Sequence, residues 1–408
     1  MKAFVLFILF IFTVTIYACP QKPPVRPGAG QIDEIVGIIS GRRVALAVNQ
    51  TSVLENQPAD GVRVHLLDTL LSRGVRVMKI FAPEHGFRGT AEAGEYVKDS
   101  RDAKTGVPII SIYGKNKKPS AAQLSDTDLV IFDIQDVGVR FYTYISTMHY
   151  LMEACAENDR ECVILDRPNP NDFIDGPMRK KGFESFVGLD PIPLLHGLTV
   201  GELARMINGE RWLGQGRRAD TCRLVVVPVE NWAHGDPYRL PVPPSPNLPN
   251  GQSVRLYASL GWFEATDVSI GRGTHFPFQV IGYPDPAFGG FTFTPQPIRG
   301  MDANPLQKGR VCYGVDLREY PFEGGLTLRF FLDFYRKAGL SASFFTRPEW
   351  FDLLAGNRDL RSAITAGQTE QEIRLGWQED LERYKAMRKK YLLYPDHRLQ
   401  TCKTIPTS

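Results

Sequence analysis

The chain has 408 residues, 43% of them hydrophobic and 23% charged, with a formal net charge of +3. This is the composition of an ordinary globular protein, and the length exceeds what one small core fills, so two domains are expected. So small a net charge excludes the broad basic field by which a protein holds nucleic acid.

At the N-terminus, Met1-Lys2 leads into an apolar run from Ala3 to Ile16, followed by Tyr17-Ala18-Cys19 and a proline-rich stretch. A charged start, an apolar centre and a small-residue end form a secretory signal over residues 1–18. The run falls short of the roughly 20 apolar residues that span a bilayer. Ile16-Tyr17-Ala18-Cys19 resembles a bacterial lipobox, which predicts a lipid anchor at Cys19, with plain secretion as the alternative. Either outcome places the protein in the periplasm or cell envelope. Residues 19–31 read as a flexible tether.

From Ile32 the chain adopts a βα rhythm. A short helix over Ile32–Ile39 leads into a strand, Val44–Val48, that ends in Asn49-Gln50-Thr51. The next helix, His65–Arg73, stops at Gly74, and Val75–Phe81 runs into Pro83-Glu84-His85-Gly86. A strand over Pro108–Ile112 ends at Tyr113-Gly114, and Leu129–Phe132 closes in Asp133-Ile134-Gln135-Asp136. A long helix, Thr143–Asn158, precedes Val163–Leu165, which closes in Asp166-Arg167-Pro168-Asn169. Short apolar runs alternating with helices predict an α/β fold, a Rossmann-like parallel sheet over residues 32–170 with right-handed crossovers. Ligands of such sheets bind beyond the carboxyl ends of the strands, where the polar clusters fall.

The rhythm breaks near residue 170, and a smaller α+β domain is expected over 171–408, completing a cleft. Its elements are a helix at Thr199–Asn208, a strand at Leu224–Val227, and helices at Leu326–Lys337 and Trp350–Ala355. A long final helix from Thr369 to Tyr391 starts at a Thr369/Glu372 capping box. Leu240–Asn250 is too rich in proline for helix or strand. Six cysteines without a C-x-x-C spacing argue against a zinc ribbon or redox pair, and Cys155 and Cys162 read as buried free thiols.

The chain contains no G-x-S-x-G elbow, S-x-x-K, phosphate loop or H-E-x-x-H. Gly271-Arg272-Gly273 reads as a tight turn beside a ligand, and neither a cofactor nor a metal is expected. Carboxylate chemistry remains. Glu84 stands on a sharp turn after a buried strand, where a partly dehydrated carboxyl can donate a proton. Asp133 and Asp136 share that edge, although Asp136 reads equally well as a structural partner of Arg140. Two carboxyl groups across a cleft are the usual apparatus of glycoside hydrolysis. His85 reads as a neighbour that tunes Glu84, a sugar contact or a packing residue.

Six motifs carry a resemblance to a known family: FAPEHGFRG (residues 81–89), FDIQDVGVRFYTYIS (132–146), LDRPNP (165–170), HGLTVGE (196–202), PSPNLP (244–249) and SIGRGTHFPF (269–278). In this order they resemble the bacterial exo-β-N-acetylmuramidases, long catalogued as a domain of unknown function, over residues 35–395. The resemblance implies an exo-acting hydrolase that removes N-acetylmuramic acid from the non-reducing ends of peptidoglycan fragments. It also implies a Rossmann-like domain joined to a smaller one, with Glu84 matching the family's proposed catalytic acid. Glu264, in Phe263-Glu264-Ala265-Thr266, joins Asp133 and Asp136 as a candidate second carboxylate. Ala265 stands where glycine is expected, which predicts a narrower backbone near the sugar. Asn49, His85, Arg140, Tyr142, Asn169, Asn247 and Arg272 are the expected substrate contacts, a guanidinium suiting the lactyl carboxylate. Two other readings stay open: a lipid-anchored sugar-binding protein without catalysis, and a metal-dependent hydrolase using Glu84, His85, Asp133 and Asp166.

Overall fold

The computed structural model describes residues 23–54, 63–87, 99–216 and 220–397. The signal run, Cys19, Arg88-Gly89 and Cys402 lie outside the described residues. Helix α1 (Ile32–Ile39) and strand β1 (Arg43–Val48) are followed by α2 (Leu66–Ser72), β2 (Arg76–Ala82), β3 (Ser100–Arg101) and β4 (Pro108–Ser111). Then come α3 (Ala121–Leu124), β5 (Leu129–Asp133), α4 (Tyr144–Glu157) and β6 (Glu161–Leu165). A two-stranded antiparallel ribbon, β7 (Ile174–Met178) and β8 (Pro193–His196), precedes α5 (Val200–Gly209) and β9 (Arg223–Val227).

The main sheet has the order β3-β4-β2-β1-β5-β6-β9 and is parallel except for β3. Its strands are apolar because both faces are covered. Val44, Leu46 and Val48 of β1 and Ile131 of β5 point to one face with Ile35 and Leu70. Ala45, Ala47 and Phe132 point to the other, where Met148 and Leu203 of α4 and α5 pack. That second core continues without a break into the C-terminal part through Trp262, Phe331 and Phe351.

The C-terminal part contains α6 (Gly251–Leu260) and a three-stranded antiparallel sheet of β10 (Val280–Tyr283), β11 (Phe291–Phe293) and β12 (Cys312–Asp316). Helices α7 (Arg329–Lys337), α8 (Pro348–Ala355), α9 (Asp359–Thr365), α10 (Glu370–Leu375) and α11 (Gln378–Arg388) complete it.

Three features differ from the sequence reading. The change near residue 170 does not end the parallel sheet, because β9 pairs with β6 some fifty residues later. The expected helix from Thr369 to Tyr391 is two helices, α10 and α11, parted at Gly376, where the chain turns to bury Trp377. Part of the expected tether is folded: Arg26 and Glu230 exchange backbone hydrogen bonds of 3.1 and 2.8 Å, and Gly28 donates to the Asp166 carbonyl at 2.8 Å. Only glycine fits there, since a Cβ at position 28 would lie 2.5 Å from the Val227 carbonyl oxygen. Cys155, Cys162, Cys222 and Cys312 are free and buried.

Candidate active site

Strand β2 ends at Ala82, and the following turn is closed by a hydrogen bond from the Gly86 amide to the Pro83 carbonyl at 3.0 Å. His85 and Gly86 both take left-handed backbone, with φ of 67° and 75°. For a non-glycine residue this costs roughly 1–2 kcal/mol, a strain that collects at functional sites. The turn presents Glu84, whose Oε1 accepts from the Tyr113 hydroxyl at 2.8 Å and whose Oε2 accepts from Thr143 at 2.7 Å. Burial and the neighbouring Glu84 push the Tyr113 phenol well above its ordinary range, so it stays a donor. Tyr113 follows β4, and Thr143 precedes α4, so three segments of the sheet edge converge on one carboxyl group.

Glu84 opens into a cavity of about 540 Å³. The Pro-rich segment forms one wall with Ser245, Asn247 and Leu248, and the C-terminal part contributes Tyr257, Glu264, Arg272, Phe278 and Trp350. Gly271 and Gly273 have φ of 79° and 78°, and the Gly271 carbonyl accepts from the Thr274 amide at 3.1 Å. This turn carries Arg272, which donates to Glu264 at 2.6 Å and lies 5.1 Å from the Phe278 ring centre. Burial alone would lower the Arg272 pKa, but the Glu264 carboxylate more than offsets this and raises it. Burial first, then the carboxylates of Glu264, Glu84 and Asp136, push the Tyr257 phenol up, against the Arg272 guanidinium. Asn247 is 3% exposed, and its Oδ1 has no hydrogen-bond partner among the described residues, while Nδ2 donates to the Met301 carbonyl at 3.1 Å.

Of the residues singled out by sequence, Glu84, His85, Tyr142, Asn247, Glu264 and Arg272 line this cavity. The others do not. Asp133 is fully buried and commits both carboxylate oxygens to Arg167, at 2.6 and 3.0 Å. Asp136 accepts from the Gly138 amide at 2.6 Å and stands 3.7 Å from His196 Nε2, not beside the Arg140 guanidinium. Arg140 is fully buried, donating to the carbonyls of Pro177 and Ile192 at 2.8 Å and of Leu354 at 2.9 Å. Asn169 bridges the Asn171 amide and the Leu198 carbonyl, and Asn49 accepts from the amide and hydroxyl of Thr51. Asn49 and Asp133 sit at the strand-order switch between β1 and β5, the usual ligand crevice of such sheets. Here Arg167 closes off Asp133 and Thr51 bonds Asn49, while Asn49 Nδ2 and Asp136 Oδ1 have no hydrogen-bond partner among the described residues; the cleft opens at β2. Ala265 is fully buried in the core, so it does not narrow the cleft. Among the described residues no group of three His, Cys, Asp or Glu side chains is placed to hold a metal ion.

Tyr113, Thr143, Phe186 and Trp350 were not identified from sequence. Tyr113 had a signal, since it ends a strand on the same edge.

Family models described as exo-β-N-acetylmuramidase NamZ, N-terminal and C-terminal, match residues 44–252 and 255–394. The chain belongs to the exo-β-N-acetylmuramidase NamZ family. It is 36% identical over 399 residues to the peptidoglycan β-N-acetylmuramidase NamZ of Bacillus subtilis strain 168, with 92% of each covered. Two crystal structures of DUF1343 family proteins from Bacteroides fragilis share this architecture. One is 45% identical with a TM-score of 0.82, the other 29% identical with 0.76, each covering 91% of this chain and 99% of its own. The two NamZ family models meet at the start of α6, beyond β9, so the N-terminal family unit contains the whole parallel sheet.

Proposed function

We propose that the protein is an exo-acting glycoside hydrolase that releases N-acetylmuramic acid from the non-reducing ends of peptidoglycan fragments, with Glu84 protonating the leaving oxygen. The observation that carries this reading is the Glu84 carboxyl, gripped through both oxygens by Tyr113 and Thr143 at a cleft that also holds Glu264. Membership of the NamZ family supports the substrate class. Glu264 is the carboxylate that shares the cleft with Glu84 and takes the second role. Arg272 keeps N–H groups for the lactyl carboxylate beside its bond to Glu264, and the orphaned Asn247 Oδ1 accepts from the acetamido N–H or a sugar hydroxyl. Tyr142 and His85 shape the floor of the sugar site. The proposal extends to export and a lipid anchor at Cys19, supported by the apolar run and lipobox-like residues. Loss of a general acid costs roughly 10²–10⁴-fold in rate, so Glu84→Gln should fold normally and lose that much kcat/KM on a muramic acid β-glycoside. Turnover like that of the unsubstituted protein would overturn the assignment.

A further inference from the structure

A proton donor for glycoside cleavage stands between the sugar that is released and the group that leaves. The two sides of Glu84 differ. On one side Arg272 pairs with Glu264 and lies over Phe278, whose ring meets Tyr257 at 4.9 Å; on the other, the Tyr113 hydroxyl donates to Glu84. Beyond Tyr113, the cleft is lined by Lys117 and Phe186. The Phe186 ring lies 6.0 Å from Tyr113 and stacks on Tyr150 at 6.2 Å and 11°. Its loop is fixed at the tip, where Ser185 and Gly188 exchange backbone hydrogen bonds of 3.2 and 2.9 Å, and at its base, where Arg179 donates to the Leu189 carbonyl at 2.7 Å. On this support the Lys117 ammonium sits 4.5 Å from the ring centre.

Lys117 forms no salt bridge with a carboxylate among the described residues, although the adjacent Lys118 is paired with both Glu153 and Glu157. A half-buried ammonium held over an aromatic face is pre-placed for an anion supplied from outside.

We infer that Lys117 is a carboxylate receptor on the leaving-group side of the cleft, so that the enzyme favours fragments whose departing portion carries a carboxylate. This rests on the glycosidase reading above, in which Arg272 takes the carboxylate of the sugar being released. The leaving sugar next to the cut bond is neutral in an alternating glycan, so the anion comes from the following muramic acid or from a peptide on it.

The test uses the full-length protein and three trisaccharides of muramic acid, N-acetylglucosamine and muramic acid: one with the reducing-end lactyl carboxylate free, one with it capped as the methylamide, and one with it joined to an acidic dipeptide. An ion pair of this exposure is worth up to about 1 kcal/mol, or roughly fivefold. The free or dipeptide form should therefore show a KM about fivefold below the methylamide at low salt, with the advantage shrinking as ionic strength rises. A gain for the free acid names the lactyl group, and a gain for the dipeptide form alone names the peptide; either supports the inference. Lys117→Gln should erase the preference, bringing the free and dipeptide forms to the KM of the methylamide, and Lys117→Arg should restore it. Equal KM for all three substrates, or an equal loss on all three in Lys117→Gln, overturns the receptor. Failure of the unsubstituted protein to cleave any of them overturns the glycosidase reading itself, and the inference with it.

Discussion

Asparagine at position 133 separates a structural carboxylate from a catalytic one. Asp133 closes β5 and meets Arg167 through two charged hydrogen bonds, and the two side chains are 0% and 1% exposed. Arg167 also donates to the Val53 carbonyl at 2.9 Å, so the guanidinium cannot swing out to water without breaking a third bond. Asparagine keeps the shape but leaves the guanidinium charge buried without its counter-ion. Removing one partner of a buried pair costs about 3–5 kcal/mol. An unfolding entropy of roughly 2.1 cal/mol/K per residue over 408 residues converts this into a fall in Tm of about 4–6 °C. Calorimetry measures the fall, and initial rates at 25 °C, where the variant is still folded, measure the chemistry. Asp133→Asn should lose stability by this amount while kcat/KM stays within about twofold. An unchanged Tm with a rate loss of about 10²-fold would refute the reasoning and return Asp133 to the reacting groups.

Two further predictions concern His234 and Cys19. His234 lies between Asp172 and Glu202, 2.9 Å from each; burial pulls its pKa down, but the two carboxylates prevail and lift it to about 9. Because the folded value exceeds the unfolded one of about 6.5, this stabilisation is complete below pH 6.5 and disappears as pH rises through 9. It amounts to about 3 kcal/mol, so urea midpoints should fall between pH 6.5 and 9.5 and stay level across that window in His234→Gln. A level profile in the unsubstituted protein would show that His234 is not charged in the fold. Cys19→Ser should move the protein from the membrane pellet to the soluble fraction and abolish incorporation of labelled palmitate; unchanged fractionation would remove the anchor.

The parallel sheet was legible because buried strands are written as apolar runs, and their carboxyl ends as sudden polar clusters. What those clusters do was less legible. Asn49, Asp133, Asp136 and Asn169 have the composition of a ligand site, yet each answers another group of the fold. Glu84 differs by geometry alone: the left-handed pair at His85 and Gly86 lifts it off the edge. Arg140 illustrates the same limit. A guanidinium in a signature motif invites an anion, but three carbonyls from the β7–β8 ribbon and α8 converge on it instead. Strand β9 escaped assignment to the sheet because the ribbon and α5 intervene before it pairs with β6. Tyr113 and Thr143 were missed because neither residue type announces a partnership with a carboxylate thirty to sixty residues away.

The division of labour along the edge follows from how each acid is compensated. Asp133 at the end of β5 is answered by a buried guanidinium. Asp166 at the end of β6 is answered by hydrogen bonds from Thr199, Gly201, Arg167 and Tyr394, which only partly offset burial and leave its pKa raised to about 6. Asp133 ties the end of β5 to the loop after β6, and Asp166 ties the end of β6 to α5 and the C-terminal tail. Glu84, one strand beyond β1, receives hydroxyl donors from Tyr113 and Thr143, groups that can reorient when the carboxyl changes protonation state. The rigid neighbours and the adaptable acid therefore need each other. In the proposed mechanism the Glu84 carboxyl exchanges a proton with the substrate, while Asp133 and Asp166 keep the ends of β5 and β6 fixed.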